Sequence, residues 1–323
     1  VFPQTIESPP GRSAAVYEMP KQIIGTAPVG TDGSVSFRAP AEQPLFFQVL
    51  DKDGMAVMTM RALVYLQPGE VISCTGCHEP RDTAPPHAVW PASAKVHELQ
   101  PPAGPRYEGG LSFAKTVQPV LDRYCIGCHG LERTDGDLHL LGTVQPVTFP
   151  RTQWPGPNKM RVSAAYESLL TRTGLVAVAQ GDMESDFSKP KDYFAHAGRL
   201  APLLLAGHPD PTGQPRLRLD RESFQRIADW LDLNAVCYGD YSWNKPEWRA
   251  SSPEGERALR EHVRNKFGPA LAAAPFAALV NVALPEESRV LKAPLAVAAG
   301  GWGQFPEHGW RDTSASGYVT MRR

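Results

Sequence analysis

Two five-residue strings constrain this chain more than anything else in it: Cys74-Thr75-Gly76-Cys77-His78 and Cys125-Ile126-Gly127-Cys128-His129. With five cysteines and nine histidines in 323 residues, composition alone predicts roughly 0.002 such matches. Both follow the C-x-x-C-H pattern of c-type haem attachment. Two thiols separated by two residues reach the two vinyl groups of one porphyrin as thioethers. The adjacent histidine then lies under the iron as an axial ligand. The order matters, because a histidine several residues away would not share the same short turn. The reading therefore assigns two covalently bound haem c groups. Cys74 and Cys77 hold one, with His78 on its iron; Cys125 and Cys128 hold the other, with His129 on its iron.

Other chemistries also use paired cysteines. A zinc site built from two C-x-x-C pairs usually spaces them by ~12–20 residues, whereas 47 residues lie between Cys77 and Cys125. Zinc also has no need of a histidine directly after both pairs. A thioredoxin-like dithiol wants one motif opening a helix of a βαβ unit, and neither flank reads that way. Two disulfides would each close a cramped loop. The fifth cysteine, Cys237, has no general base beside it in sequence, which points to a buried, inert thiol.

The flanks of the motifs differ. Ahead of the second, Phe113, Val117, Val120, Leu121 and Tyr124 recur at helical spacing and predict one apolar helix face. Pro119 falls near the first turn of the stronger helical part, where proline is tolerated. Ahead of the first motif, Arg61–Pro68 reads as extended, so a strand presents it. Met58 and Met60 alternate on one strand face, with Met55 off it; such a stripe more often fills a core than ligates iron.

Composition bears on what surrounds the motifs. The 33 Lys and Arg nearly balance 34 Asp and Glu, for a net charge of −1 and a pI near 6.8. The basic residues are scattered, so there is no electrostatic case for nucleic-acid binding. No run reaches the ~18 apolar residues needed to cross a bilayer. The chain opens at Val1 on polar, proline-rich sequence without a signal peptide, as a processed product or fragment would. Its 32 prolines and 28 glycines indicate a globular, loop-rich chain of about two domains.

The expected fold is α+β with much irregular structure, a small β-rich N-terminal domain preceding a mainly helical c-type cytochrome domain. Residues 1–70 make the β-rich part, with short apolar runs broken at Gly30–Gly33, Pro40 and Asp51–Gly54. Residues 71–110 carry the first motif and a proline-rich wrap. Residues 111–240 form the haem domain, helical or irregular throughout. There Asp220 caps a helix whose buried face is Phe224, Ile227, Ala228 and Leu231. Residues 241–323 are a helical and irregular extension. Its first helix opens at Ser251-Ser252-Pro253-Glu254 with a capping-box pattern and buries Ala258, Leu259, His262 and Val263. A short helical stretch follows near Glu286–Leu291.

Several stretches run in a recognisable order: Asp32-Gly-Ser-Val-Ser-Phe-Arg-Ala-Pro40, Tyr65-Leu-Gln-Pro-Gly-Glu70, Ser73-Cys-Thr-Gly-Cys-His-Glu-Pro-Arg81, Val117-Gln-Pro-Val-Leu-Asp-Arg-Tyr-Cys125, Leu204-Leu-Ala-Gly-His208 and Ala293-Pro-Leu-Ala-Val-Ala-Ala-Gly-Gly301. Together they resemble the C-terminal, haem-bearing part of the hydrazine synthase alpha subunit and its uncharacterised relatives. The resemblance implies a di-haem module whose second haem is six-coordinate and serves electron transfer. It implies a distal histidine at the position of His208, 79 residues after His129. From the residues alone, His208 reads either as a ligand presented by a buried turn or as a loop histidine at a helix end, with His196 the other candidate. At the first haem the family sends its motif histidine to zinc and ligates iron through a tyrosine four residues later. Here that position is Asp82, and no tyrosine stands between His78 and Tyr107. Zinc, tyrosinate and hydrazine chemistry are therefore not carried over. His78 reverts to an ordinary axial ligand, with His87, His97, Met55, Met58, Met60 or an open position opposite it.

The preferred function is electron transfer by a di-haem module, as a component of a larger redox complex with other cytochrome subunits as partner proteins. The alternative is a haem-based oxidoreductase with an open coordination site on the first haem. Covalent haem is attached outside the bacterial cytoplasm, so a periplasmic or extracellular location is expected.

Overall fold

The computed structural model describes residues 20–60, 63–74, 95–149, 158–179, 189–239 and 252–323. Short strands form where the turn signals leave only a few extended residues between them. β1 (Ser36–Phe37) pairs in parallel with β6 (Val96–His97). β2 (Pro44–Leu45) pairs antiparallel with β5 (Val64–Tyr65), and β3 (Gln48–Leu50) with β4 (Ala56–Thr59). The β3–β4 turn is held by the Asp51 carboxylate, which accepts from the backbone N–H groups of Asp53 and Met55 at 2.9 and 3.0 Å.

The helix expected over Phe113–Tyr124 is present in two pieces, α1 (Phe113–Thr116) and α2 (Gln118–Tyr124). Pro119 lies in the first turn of α2. It has no N–H to offer the Lys115 carbonyl and its ring crowds that group, so the helix breaks and restarts at Val117. The predicted face is nonetheless buried at Phe113, Val117, Val120 and Leu121.

The stretch after the second motif departs from the helical or irregular reading. β7 (Val144–Phe149) and β8 (Asn158–Ser163) form an antiparallel pair in register from Val144↔Ser163 to Phe149↔Asn158. Pro146 argues against a strand, but a two-stranded sheet has only edge strands, where proline is tolerated. Next come α3 (Ala164–Thr171), α4 (Phe194–Ala197), α5 (Leu200–Leu205) and α6 (Arg221–Asp232). In α6 the Asp220 carboxylate accepts from Ser223 N–H at 2.7 Å, and Phe224, Ile227, Ala228 and Leu231 are buried as expected.

Phe113, Tyr166 and Trp230 meet edge to face at the centre of this core, with centroids 5.1–6.2 Å apart. Their polar ends are satisfied by backbone, Trp230 Nε1–H on Val236 O at 3.0 Å and Tyr166 O–H on Ala235 O at 2.7 Å. Met55, which the alternation set apart from Met58 and Met60, belongs to this same core, whereas Met58 and Met60 are half-buried. Cys237 is buried in it too. Asp232, at the end of α6, ties the β3–β4 hairpin and α4 together. Its carboxylate accepts from Ala56 N–H at 2.8 Å and Ala195 N–H at 3.2 Å.

A second apolar cluster, including Val263, Leu279, Val290, Leu295, Trp310 and Tyr318, lies in the C-terminal part. It is built from α7 (Pro253–Phe267), α8 (Pro269–Ala272), α9 (Phe276–Leu279), α10 (Arg289–Lys292) and α11 (Ser316–Arg322). Ser252 caps α7 by accepting from Gly255 N–H at 2.9 Å. Ala258 and His262 are exposed rather than buried. α7 packs by a narrow ridge through Leu259, Val263 and Phe267, each four residues from the last, while Arg260 caps the following turn through the carbonyls of Ala272 and Ala274 at 2.7 and 3.0 Å. Asn281 Nδ2 donates to Ala114 O at 2.6 Å and docks this part on α1. The fold is α+β, with small sheets and much irregular chain. Among the described residues no helix is long and apolar enough to cross a membrane.

Candidate functional site

α2 ends at Tyr124 with Cys125 as its C-cap, and the chain turns tightly through the second motif. Cys125 N–H and Ile126 N–H both return to Leu121 O, at 2.8 and 3.1 Å. Cys128 N–H and His129 N–H then return to Cys125 O, at 3.1 and 3.0 Å. Ile126 points into the core at 1% exposure and pins the turn. Gly127 faces open space, Cys125 is half-buried and Cys128 is exposed. The residues between the thiols thus divide, one anchoring and one leaving room, with Cys125 packed against the core and Cys128 exposed. Neither cysteine is bonded to the other. Burial, reinforced by Asp122 and Cys128, pushes the Cys125 thiol up to about 12, so it stays a neutral thiol rather than a thiolate nucleophile.

His129 is oriented by backbone. Its Nδ1 lies 2.8 Å from Asp135 O. A carbonyl only accepts, so Nδ1 carries the proton and Nε2 presents its lone pair, the tautomer a metal-ligating histidine needs. The Asp135 loop is held in turn by Asp135 N–H on Cys128 O at 3.1 Å and Leu140 N–H on His129 O at 2.7 Å. Burial, with His208 adding to it, keeps His129 below the usual imidazole range and therefore neutral, the ligating form.

His208 arrives from the other side. α5 ends at Leu205, and His208 N–H closes back on Leu203 O at 2.8 Å with His208 itself at φ +49°. Gly207, at φ +79°, makes this possible: a Cβ there would stand 2.7 Å from Pro215 Cβ and 2.9 Å from Leu217 O. The His129 and His208 rings lie close together, with centroids 6.0 Å apart and planes tilted at 51°. Two imidazoles bound to one metal from opposite sides, each through a bond of about 2 Å, have their centroids about 6 Å apart. The spacing of His129 and His208 is thus compatible with both imidazoles reaching one metal between them.

The other candidates are placed elsewhere. His196, on α4, lies 3.1 Å from Asp51 through Nε2 and Oδ2, away from His129. His139, His262 and His308 are exposed. His97 sits in β6 opposite Phe37, and Met58 and Met60 are half-buried. At the first motif Cys74 is exposed, while Cys77, His78, Asp82 and His87 lie outside the described residues. Among the described residues, no three His, Cys, Asp or Glu side chains converge as a metal-ion cluster. Sequence reasoning missed the Asp135 carbonyl, which carries no residue-type signal. It also missed Asp122, whose spacing of four from Gln118 on one helix was the available clue.

Residues 8–79 match the family described as hydrazine synthase alpha subunit middle domain. The match includes the first motif and ends one residue past His78. It relates this chain to the alpha subunit through its middle domain, and does not extend to the C-terminal haem region that the sequence resemblance names. No curated protein matches. A solved structure of hydrazine synthase from Kuenenia stuttgartiensis is similar at 17% identity and a TM-score of 0.36, over 62% of this chain and 31% of that one.

Proposed function

We propose that this chain is a di-haem c-type cytochrome module that moves electrons as a component of a larger redox complex. The observation that carries the reading is the closely placed pair His129 and His208, with His129 fixed in the ligating tautomer by Asp135 O. Cys125 and Cys128 would hold one porphyrin by thioethers, and His129 and His208 would occupy both axial positions. Cys74, Cys77 and His78 would hold a second. The cofactor supplies a reversible one-electron couple, tuned by axial ligands and burial. The chain's own work is to fix both imidazoles, with Gly207 setting His208 and the Asp135 loop setting His129, so that little rearrangement accompanies electron gain or loss.

The family match at residues 8–79 supports assembly with other redox subunits, and covalent attachment implies a periplasmic or extracellular location. A second reading places small-molecule redox chemistry at the first haem with an open coordination site, because the family match covers that motif. A pyridine haemochrome assay tests the common premise. Two haems per chain are expected, and none would overturn it. Carbon monoxide then separates the readings: no binding by the reduced protein supports electron transfer at both haems, and rapid binding at one supports chemistry there.

A further inference from the structure

Beside the attachment turn, α2 carries a carboxylate that electron transfer alone does not use. Asp122 lies three residues before Cys125 and is 4% exposed. Gln118, one turn earlier and 3% exposed, donates Nε2–H to Asp122 Oδ1 at 2.8 Å and to Leu140 O at 3.0 Å. From α10, which packs on α2, Arg289 is near enough to act on Asp122 by charge. Yet Arg289 Nε and Nη1, and Gln118 Oε1, are buried without a hydrogen-bond partner. Interiors normally satisfy such atoms. The buried carboxylate thus shares its surroundings with unpartnered polar atoms of Gln118 and Arg289, so the polar groups about it are incompletely bonded.

Burial pushes the Asp122 carboxyl up to about 7, against the Gln118 hydrogen bond and the Arg289 charge. Among the described residues, the charged group acting on it is Arg289, and Asp122 in turn acts on Cys125 at the end of its own helix. α1 and α6 also pack on α2 and present no charge that shifts it. The coupling reaches Cys125, whose thiol is pushed up partly by Asp122. A charge placed on a porphyrin held by that sulfur acts back on Asp122 through the same weakly screening interior.

We propose that Asp122 is a redox-linked proton acceptor for the haem borne by Cys125 and Cys128. As that iron gains one electron from an external one-electron donor, Fe(III) to Fe(II), the Asp122 carboxylate binds one proton from solvent. It releases that proton when the electron leaves. The proposal rests on the haem reading of the second motif.

The test is a spectroelectrochemical titration of the haem-loaded full chain between pH 5 and 9, following the haem whose low-spin signal is lost in His208→Ala. The added electron makes the Asp122 site more basic, so the potential is flat at the acid end, where the group is protonated in both states. Above about pH 7 it falls by up to ~59 mV per pH unit, the one-electron equivalent of a tenfold change in proton affinity. Asp122→Asn keeps an acceptor for Gln118 and should abolish the slope, holding the potential at its acid-end value. If the variant does not fold, redox-difference infrared spectroscopy of the wild type should show a protonated-carboxyl stretch appearing on reduction. A haem-loaded wild type with a flat potential, a slope that survives Asp122→Asn, or no carboxyl band overturns this proposal and leaves the haem reading standing. A chain with no haem on Cys125 and Cys128 overturns both.

Discussion

Asp232 is the single side chain whose removal should most weaken the join between the β3–β4 hairpin and the helical core. It is 3% exposed, and its two oxygens accept from the buried Ala56 and Ala195 N–H groups at 2.8 and 3.2 Å. Asp232→Ala orphans both donors. At about 1–3 kcal/mol for each buried unsatisfied group, the loss is about 2–6 kcal/mol. A second effect runs the other way with pH. Burial, against the two backbone bonds and with Asp229 and Asp51 adding to it, pushes the Asp232 carboxyl up to about 7, whereas in the unfolded chain it titrates near ~4. The folded pKa is raised, so this contribution is fully present below ~4 and is lost as pH rises through about 7. At about 1.4 kcal/mol per pKa unit, the wild type forfeits on the order of 4 kcal/mol across that interval, and the alanine variant forfeits none of it. Urea unfolding at pH 5 and pH 8 should therefore show a large drop in midpoint for Asp232→Ala at pH 5 and a much smaller one at pH 8, with unchanged denaturant slopes. An equal loss at both pH values, or a larger one at pH 8, would refute the reasoning.

Gly207→Ala forces a side chain onto a positive φ and against Pro215 and Leu217. It should cost about 1 kcal/mol or more and move His208, read as a fall in melting temperature together with a partial high-spin signal. Asp220→Ala removes the α6 cap and the acceptor for Tyr124 O–H at 2.7 Å and Arg123 Nη1–H at 2.9 Å. A loss of about 1 kcal/mol is expected in chemical denaturation at neutral pH. Hydrogen bonds from Ser223 and Tyr124, with Arg123 nearby, hold the Asp220 carboxyl below its usual range against a burial effect that raises it. That stabilisation should therefore vanish as pH falls through the folded carboxyl's titration. Phe113→Ala should cost about 3–5 kcal/mol in the same assay, because Tyr166 and Trp230 both lose their partner.

The parts legible in the sequence are those where one local signal suffices. α6 is written in its cap and apolar spacing. What was not legible depends on partners distant in sequence. β7 and β8 pair through a proline-bearing run that looks unlike a strand until its edge-only environment is known. α7 buries a ridge of every fourth residue, because it meets its neighbours along a line rather than a broad face. His208 was named through resemblance, but its placement beside His129 depends on Gly207, which fits closely against Pro215 and Leu217. The His129 tautomer is fixed by a backbone carbonyl, which any residue at position 135 would supply. The burial of Asp122 depends on α10, which packs on α2 from far along the chain.

The central claim is that one haem, on Cys125 and Cys128, is held between His129 and His208. Electron paramagnetic resonance of the ferric full-length protein, wild type beside His208→Ala, tests it most directly. The account predicts a low-spin signal with two axial imidazoles in the wild type, replaced by a high-spin signal in His208→Ala with no loss of covalently bound haem. A low-spin signal unchanged by His208→Ala would contradict it.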